Sequence, residues 1–481
     1  MSRSASPPLS ACAWPRRALG LAAALALTAC ASVTPLPARP PADTSPVPAQ
    51  WSAASGSAQP TALAQWWQRF DDPQLTALVA QALQANTSVK SAQAALRQAR
   101  AQRDAQAAAN GPSISASASA QRSQNGNADG SNRFQTGFDA RWEPDLFGGN
   151  RATLDAAEAG ARAAQTGLAD VQVSLAAEVA VAYIELRGLQ ARLDIASRNL
   201  ATQQETLQIT RWRAQAGLAS SLDLEQAIAA TEQTRAQIPA LQTSVAQSLN
   251  ALAVLTGQVP GALQATLGRT GAIPAAPADL ALAFPAETLR QRPDVRSAEH
   301  QVSAALARVS AADAARYPSF QLSGSLGLSA LTLGTLTDGA SVLRSVLASV
   351  SVPLFDGGAL RAQVQAQQAA LDQARAAHEA AVLGALQDVE DALAALRGDR
   401  EKLVRQQAAA DAATNAELLA RQRYQSGLID FRTVLDTQRS RLSTQDSVAS
   451  TQATLSADHV RLYKALGGGW TPADTTAATR H

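Results

Sequence analysis

The chain has 481 residues with 41 basic and 39 acidic side chains, and a formal net charge of +2 offers no electrostatic footprint for a nucleic acid. Aromatics make up only 4%, and two cysteines are too few for a thiolate metal cluster. Neither a Gly-x-x-x-x-Gly-Lys-Ser/Thr nor a Gly-x-Ser-x-Gly string occurs, which argues against nucleotide-driven or serine-nucleophile chemistry.

The first predicted element is a targeting segment. Arg16 and Arg17 precede an apolar run, Ala18 to Leu27, shorter than the roughly 20 residues of a permanent membrane helix, so it reads as a signal h-region. It ends in Leu27-Thr28-Ala29-Cys30, which looks like a bacterial lipobox whose Cys30 thiol becomes the lipid carrier. The alternative is an ordinary secretory signal that happens to contain a cysteine. In the lipoproteins this resembles, Asp after the cysteine favours the inner membrane; Ala31 stands here, which points to the outer membrane. Residues 1–29 are therefore expected to be a signal peptide, and the Pro/Ser/Ala-rich residues 30–60 a lipid-anchored tether. No stretch of about 20 apolar residues follows, so any entry into a bilayer would be as β-strands.

From there the chain is one unit written twice. Asn86-Thr-Ser-Val-Lys-Ser-Ala92 aligns with Arg292-Pro-Asp-Val-Arg-Ser-Ala298, and Pro112 with Pro318. Leu146-Phe147-Gly148-Gly149 then matches Leu354-Phe355 with Gly357-Gly358, Arg151 matches Arg361, Gly217-Leu218 matches Gly427-Leu428, and Gly257 matches Gly467. The expected units are residues 61–270 and 271–470, with a disordered tail at 471–481.

Each unit reads helix, hairpin, long helix, turn, helix. A first helix is expected from Leu75 to Ala109, stopped by Gly111-Pro112. The period then becomes two: Ile114, Ala116, Ala118 and Ala120 alternate with serines, and Phe134, Thr136, Phe138, Ala140 and Trp142 alternate with Gln135, Gly137, Asp139 and Arg141. A turn-rich stretch, Gln124 to Ser131, separates them. The second copy carries Phe320, Leu322, Leu326 and Leu328, then Val346, Ala348, Val350, Val352 and Leu354. The expected strand regions, about 113–143 and 319–354, hold runs long enough for membrane strands, although a soluble hairpin gives the same alternation.

Helical hairpins are expected at about 151–257 and 361–467. Arg151 to Ala216 contains no proline, and a continuous helix of that length reaches roughly 100 Å. Gly217-Leu218 and Gly427-Leu428 mark the reversals, and Pro239 is expected to interrupt and bend the first return helix. A long coiled-coil stalk would share the helical pattern.

Five strings in order carry a family resemblance: Trp67-Gln-Arg-Phe70-Asp-Asp72-Pro73-Gln-Leu75, Trp142-Glu-Pro-Asp145-Leu146-Phe147-Gly148, Leu289-Arg290-Gln-Arg292-Pro293-Asp294-Val295, Val352-Pro353-Leu354-Phe355-Asp356-Gly357-Gly358, and Arg423-Tyr424-Gln-Ser-Gly427 through Leu435-Asp436. With them the chain resembles the TolC-like outer membrane factors, in the lipoprotein branch of OprM and NodT. The resemblance implies a mainly α fold with a membrane β-barrel: a homotrimer, four strands per chain in a 12-stranded barrel, and long helical hairpins forming a hollow α-barrel across the periplasm. It implies a passive exit duct of a tripartite efflux system, driven by an inner-membrane pump through a periplasmic adaptor, with no cofactor and no enzymatic activity. It also implies a gate at the hairpin tips, in which Asp223, Tyr424 and Asp436 match family positions. Ile429 stands where the best-known member has an arginine, so Arg423 or Arg432 is the expected substitute.

Three other readings share some of these features. A protein-secretion duct has the same wall, an exported coiled-coil scaffold the same helices, and a periplasmic adaptor would need a strand-rich half that is missing. His300, His378, His459 and His481 lack metal-ligand spacing and read as packing or surface residues. The acidic run Gln387-Asp388-Val-Glu390-Asp391 reads as a solvated face.

Overall fold

A computed structural model describes residues 48, 51, 63–126, 129–275 and 285–470. The expected signal peptide, Cys30, nearly all of the tether and the 471–481 tail lie outside the described residues.

The chain enters through a short 3-10 turn, Trp66–Phe70, that plants Trp66, Trp67 and Phe70 in the main core. Trp66 stacks on Tyr463 at 5.6 Å between centroids, so the start of the first unit is packed onto the end of the second. Asp72 follows as a helix N-cap, accepting hydrogen bonds from the Gln74 and Leu75 amides at 2.8 and 3.0 Å. Its other oxygen accepts from the Tyr183 hydroxyl at 2.9 Å.

The helix expected from Leu75 to Ala109 is two helices, α1 (Pro73–Ala85) and α2 (Thr87–Ala109). Asn86 separates them with extended backbone and caps α2 through the Ser88 amide at 2.7 Å. Its side-chain amide donates to the Leu255 carbonyl at 2.9 Å.

Next come β1 (Ser113–Ser123) and β2 (Ser131–Trp142), then α3 (Gly149–Gln215), α4 (Ser221–Leu255) and a single turn, α5 (Gln264–Leu267). The second unit follows with α6 (Pro285–Gln291), α7 (Pro293–Ala314), β3 (Ser319–Ala330), β4 (Val342–Ser351), α8 (Ala359–Gln425) and α9 (Phe431–Ala465).

Arg292 breaks α6 from α7 as Asn86 breaks α1 from α2, and its guanidinium donates to the Ala465 carbonyl at 3.0 Å. Each break is thus tied to the end of its own unit's return helix. Two glycines make that close approach possible. A Cβ on Gly257 would lie 2.8 Å from the Ala85 carbonyl oxygen, and one on Gly467 would lie 3.1 Å from the Arg292 Cα. Arg292 also binds both Asp294 oxygens, at 3.0 and 2.7 Å, and Asp388 at 2.9 Å. Burial works to raise Asp294, but the Arg292 guanidinium outweighs it and holds the carboxyl below its ordinary range. One member of the run expected to be merely solvated, Asp388, therefore has a partner at the break.

The interruption expected at Pro239 does not occur, and α4 runs through it as one element. A single missing amide is a local loss that the packing of α4 along α3 offsets. β4 stops at Ser351 rather than reaching Leu354, because Pro353 has no amide to give to a ladder. An 18-residue window of α3 is apolar enough to cross a membrane, and half of it is buried. Leu175, Val179, Tyr183, Ile184 and Leu186 of α3 belong to the main core, so this is a core helix.

Candidate functional site

Two regions stand out, a sheet with two unlike faces and the paired tips of the long helices. The four strands form one antiparallel sheet in the order β1-β2-β3-β4. Its register carries Ala116, Phe138, Leu326 and Arg344 across one row, and Ile114, Ala140, Gly324 and Val346 across another. These rows share a face, because side chains alternate along a strand. The intervening rows fall on the opposite face: Ser115, Asp139, Ser325 and Ser345, then Ser113, Arg141, Ser323 and Leu347. One face is chiefly apolar, with Phe138 and Val350 each 60% exposed. The other is chiefly serine, joined by bonds such as Ser117 to Asp139 at 3.1 Å and Ser325 to Ser345 at 2.7 Å. No described residue pairs with the outer edge of β1 or of β4.

Sheet and rods meet at duplicated hinges. Asp145 accepts from the Arg151 amide at 2.7 Å beside Gly148, whose φ is +77°. Asp356 accepts from the Gly358 and Leu360 amides at 2.9 and 2.7 Å, and these hydrogen bonds hold its carboxyl below the ordinary range.

At the far ends, α3 and α8 stop in the same way. Leu218 donates to the Arg213 carbonyl at 2.7 Å and Gly217 to the Ala214 carbonyl at 3.0 Å. The second tip repeats this from Leu428 to Arg423 at 2.9 Å and from Gly427 to Tyr424 at 3.0 Å. Both glycines have positive φ, +70° and +73°, as this helix ending requires. The return helices start with different caps. Ser220 and Asp223 form a reciprocal capping box at 3.1 Å each way. Asp430 instead accepts from the Thr433 hydroxyl at 2.5 Å and its amide at 3.0 Å.

The three residues expected at the gate have three different settings. Asp223 is engaged in its capping box. Tyr424 is buried with Leu207, Ala227, Phe431 and Val434, its ring 5.3 Å from that of Phe431. Asp436 is exposed between Arg432 at 3.9 Å and Arg439 at 3.6 Å. Sequence reasoning missed Arg213, whose guanidinium lies 4.5 Å over the Tyr424 ring and donates to the Tyr424 carbonyl at 3.1 Å. The signal was available, because Arg213 is the duplicate of Arg423. In the protomer Arg213 joins the two tips, Arg423 is exposed, and Arg432 lies 3.9 Å from Asp436.

Behind the tips, a polar seam ties the hairpins together. Arg441 of α9 binds Glu417 at 3.0 Å and the Asn199 oxygen of α3 at 2.9 and 3.2 Å. Arg192 holds both oxygens of Asp446 at 2.7 and 3.1 Å.

This geometry has close counterparts among known proteins. A profile of the outer membrane efflux protein family matches twice, over residues 78–258 and 284–468. Outer membrane protein OprJ of Pseudomonas aeruginosa is 34% identical over 459 residues, covering 93% of this chain and 94% of that protein. The toluene efflux pump outer membrane protein TtgF of Pseudomonas putida is 32% identical over 470 residues, covering 94% and 96%. Among solved structures, the outer-membrane channel OprN superimposes with a TM-score of 0.84 at 36% identity, over 90% of this chain and all of that one. CusC, described in terms of transmembrane channel formation, gives 0.80 at 27% identity over 89% and 98%. The chain belongs to the outer membrane efflux protein family and has the fold and location of an outer-membrane efflux channel.

Proposed function

We propose that three copies close into one duct, with a 12-stranded barrel in the outer membrane and a hollow barrel of long helices below it. The open four-stranded sheet with one apolar and one serine face carries this reading. Unpaired strand edges are not tolerated in lipid, and bacterial membrane barrels have at least eight strands, so four strands need further copies. The apolar face then meets lipid and the serine face lines the pore. Cys30 carries the lipid anchor. The helical tips meet a periplasmic adaptor, which joins the duct to an energised inner-membrane pump, and small molecules pass through passively.

Asp223, Tyr424 and Asp436 belong to the closed mouth in different ways. Tyr424 and Asp223 hold the tips in shape, whereas three exposed Asp436 carboxylates near one axis form a ring that attracts cations. Electron microscopy of the purified protein in detergent tests the assembly: a three-fold particle with a hollow stalk is expected, and a stable monomer would refute it. In planar bilayers the parent channel should be narrow and blocked by multivalent cations, and Asp436→Ala should weaken that block. An unchanged block would remove Asp436 from the gate.

A further inference from the structure

The apolar face of the sheet has a basic rim. Arg122, on β1, shares the parity of Ile114, Ala116, Ala118 and Ala120, and sits one residue from the β1–β2 turn. Arg344, on β4, stands in the row of Ala116, Phe138 and Leu326, two residues from the start of its strand. Both are exposed, and neither has an acidic partner within 4 Å among the described residues. On the serine face an arginine would meet water. On the apolar face it is costly at the middle of a bilayer and nearly free at its edge, so position decides.

Two observations put both arginines at the same edge. The Arg122 side chain folds toward the turn, where a Cβ on Gly130 would lie 3.3 Å from its Nε. The hairpins are also staggered. The β1–β2 ladder ends at Ser123–Ser131, whereas the β3–β4 ladder ends at Leu328–Val342, whose row crosses β2 at Thr136, five residues further along. Tilted barrel strands have such an offset between neighbours, and tilting brings the two turns to one level. Arg122 and Arg344 then lie within two residues of the same rim, on β1 and β4, the outer edges that meet between neighbouring protomers.

We infer that Arg122 and Arg344 of adjacent protomers form a phosphate-binding pair for the anionic headgroup of an outer-leaflet glycolipid. An apolar wall beneath two guanidinium groups matches acyl chains beneath a phosphate, and guanidinium forks suit phosphate oxygens. The inference rests on the trimeric barrel proposed above.

The test is native mass spectrometry of the full-length trimer in an uncharged maltoside detergent, titrated with bis-phosphorylated lipid A. Its dephosphorylated form and inorganic phosphate are run alongside. The parent should bind the phosphorylated lipid, and the double variant Arg122→Gln/Arg344→Gln should bind it at least about tenfold more weakly. Arg122→Lys/Arg344→Lys should retain part of that affinity, and Arg133→Gln/Arg141→Gln, on the serine face, should bind like the parent. A trimeric double variant with full affinity overturns the inference alone. Equal binding of dephosphorylated lipid, displacement by inorganic phosphate, or loss in the Arg133/Arg141 variant overturns it as well. A monomeric parent overturns the trimer and this inference together.

Discussion

The two long hairpins share a backbone and differ in what they bury. α3 and α8 are both 67 residues long, start after a positive-φ glycine and end in the same carbonyl-capping turn. Yet α3 buries 25 of its residues and α8 only 13. Four large apolar residues of α8 remain open to solvent in the protomer: Leu383, Val404, Leu418 and Leu419. Leu383, Val404 and Leu418 are separated by multiples of seven residues, the repeat that keeps a seam on one side of a supercoiled helix. Duplication therefore copied the frame and left the contents to diverge. The first rod became the protomer's core, and the second kept a face that a neighbouring copy can cover.

Truncating one leucine on each rod separates their roles. Leu186 is fully buried in the main core, so Leu186→Ala should cost the protomer about 3 kcal/mol. Leu418→Ala removes a side chain that is 45% exposed, and should change protomer stability by less than about 0.5 kcal/mol. Its effect should appear in assembly, as easier dissociation in detergent. Unfolding curves and gel mobility of unheated samples separate the two effects. Equal destabilisation of the protomer by both variants would mean that the rods are not specialised.

This division also explains what the sequence made legible. Alternation of Phe134, Phe138 and Trp142 with polar residues placed β2, and Gly217 and Gly427 placed the tips, because period two and positive-φ glycines are local signals. The breaks at Asn86 and Arg292 are secured by carbonyls of Leu255 and Ala465, far along the chain, and locally only the Asn86 cap and the Arg292-Pro293 step mark them. The same limit hid the tip. Tyr424 matches a family gate position, and its burial depends on Leu207 and Ala227 from the other hairpin. Arg213 is legible in the sequence as the duplicate of Arg423, but its contact with Tyr424 comes only from tertiary packing.

The tips have diverged in the same way as the rods. Arg213 spans from the first hairpin to Tyr424 of the second, while its duplicate Arg423 is exposed. With the tips as the proposed gate and this contact made only in its closed state, removing the guanidinium from the ring face costs about 1 kcal/mol, roughly a fivefold shift toward open tips. Arg213→Ala should therefore raise the open fraction in planar bilayers by about that factor, and Arg423→Ala should leave it near the parent's. Equal effects would show that the duplicates have not diverged.

The caps of the two return helices, Ser220 and Asp430, differ in charge. Hydrogen bonds from the Thr433 hydroxyl and amide hold the Asp430 carboxyl below its ordinary range, with a smaller contribution from the Arg432 charge. A carboxyl depressed in the folded state stabilises above its unfolded value, near 3.8, and loses that contribution as pH falls through the lower folded value. Acid should therefore loosen the start of α9 below about pH 4, while the Ser220 hydroxyl at the first tip has no charge to lose. Asp430→Ser gives the second tip a neutral hydroxyl cap, without the reciprocal carboxylate that Asp223 supplies at the first, and should flatten the acid response without removing the cap. Hydrogen exchange at the Thr433 amide between pH 3 and 6, corrected for intrinsic rates, reads this directly. Protection that falls in acid in the parent but not in Asp430→Ser supports the assignment. Protection that falls equally in both would place the acid-sensitive contact elsewhere in the tip, with the Arg432–Asp436 and Arg439–Asp436 pairs as the next to examine.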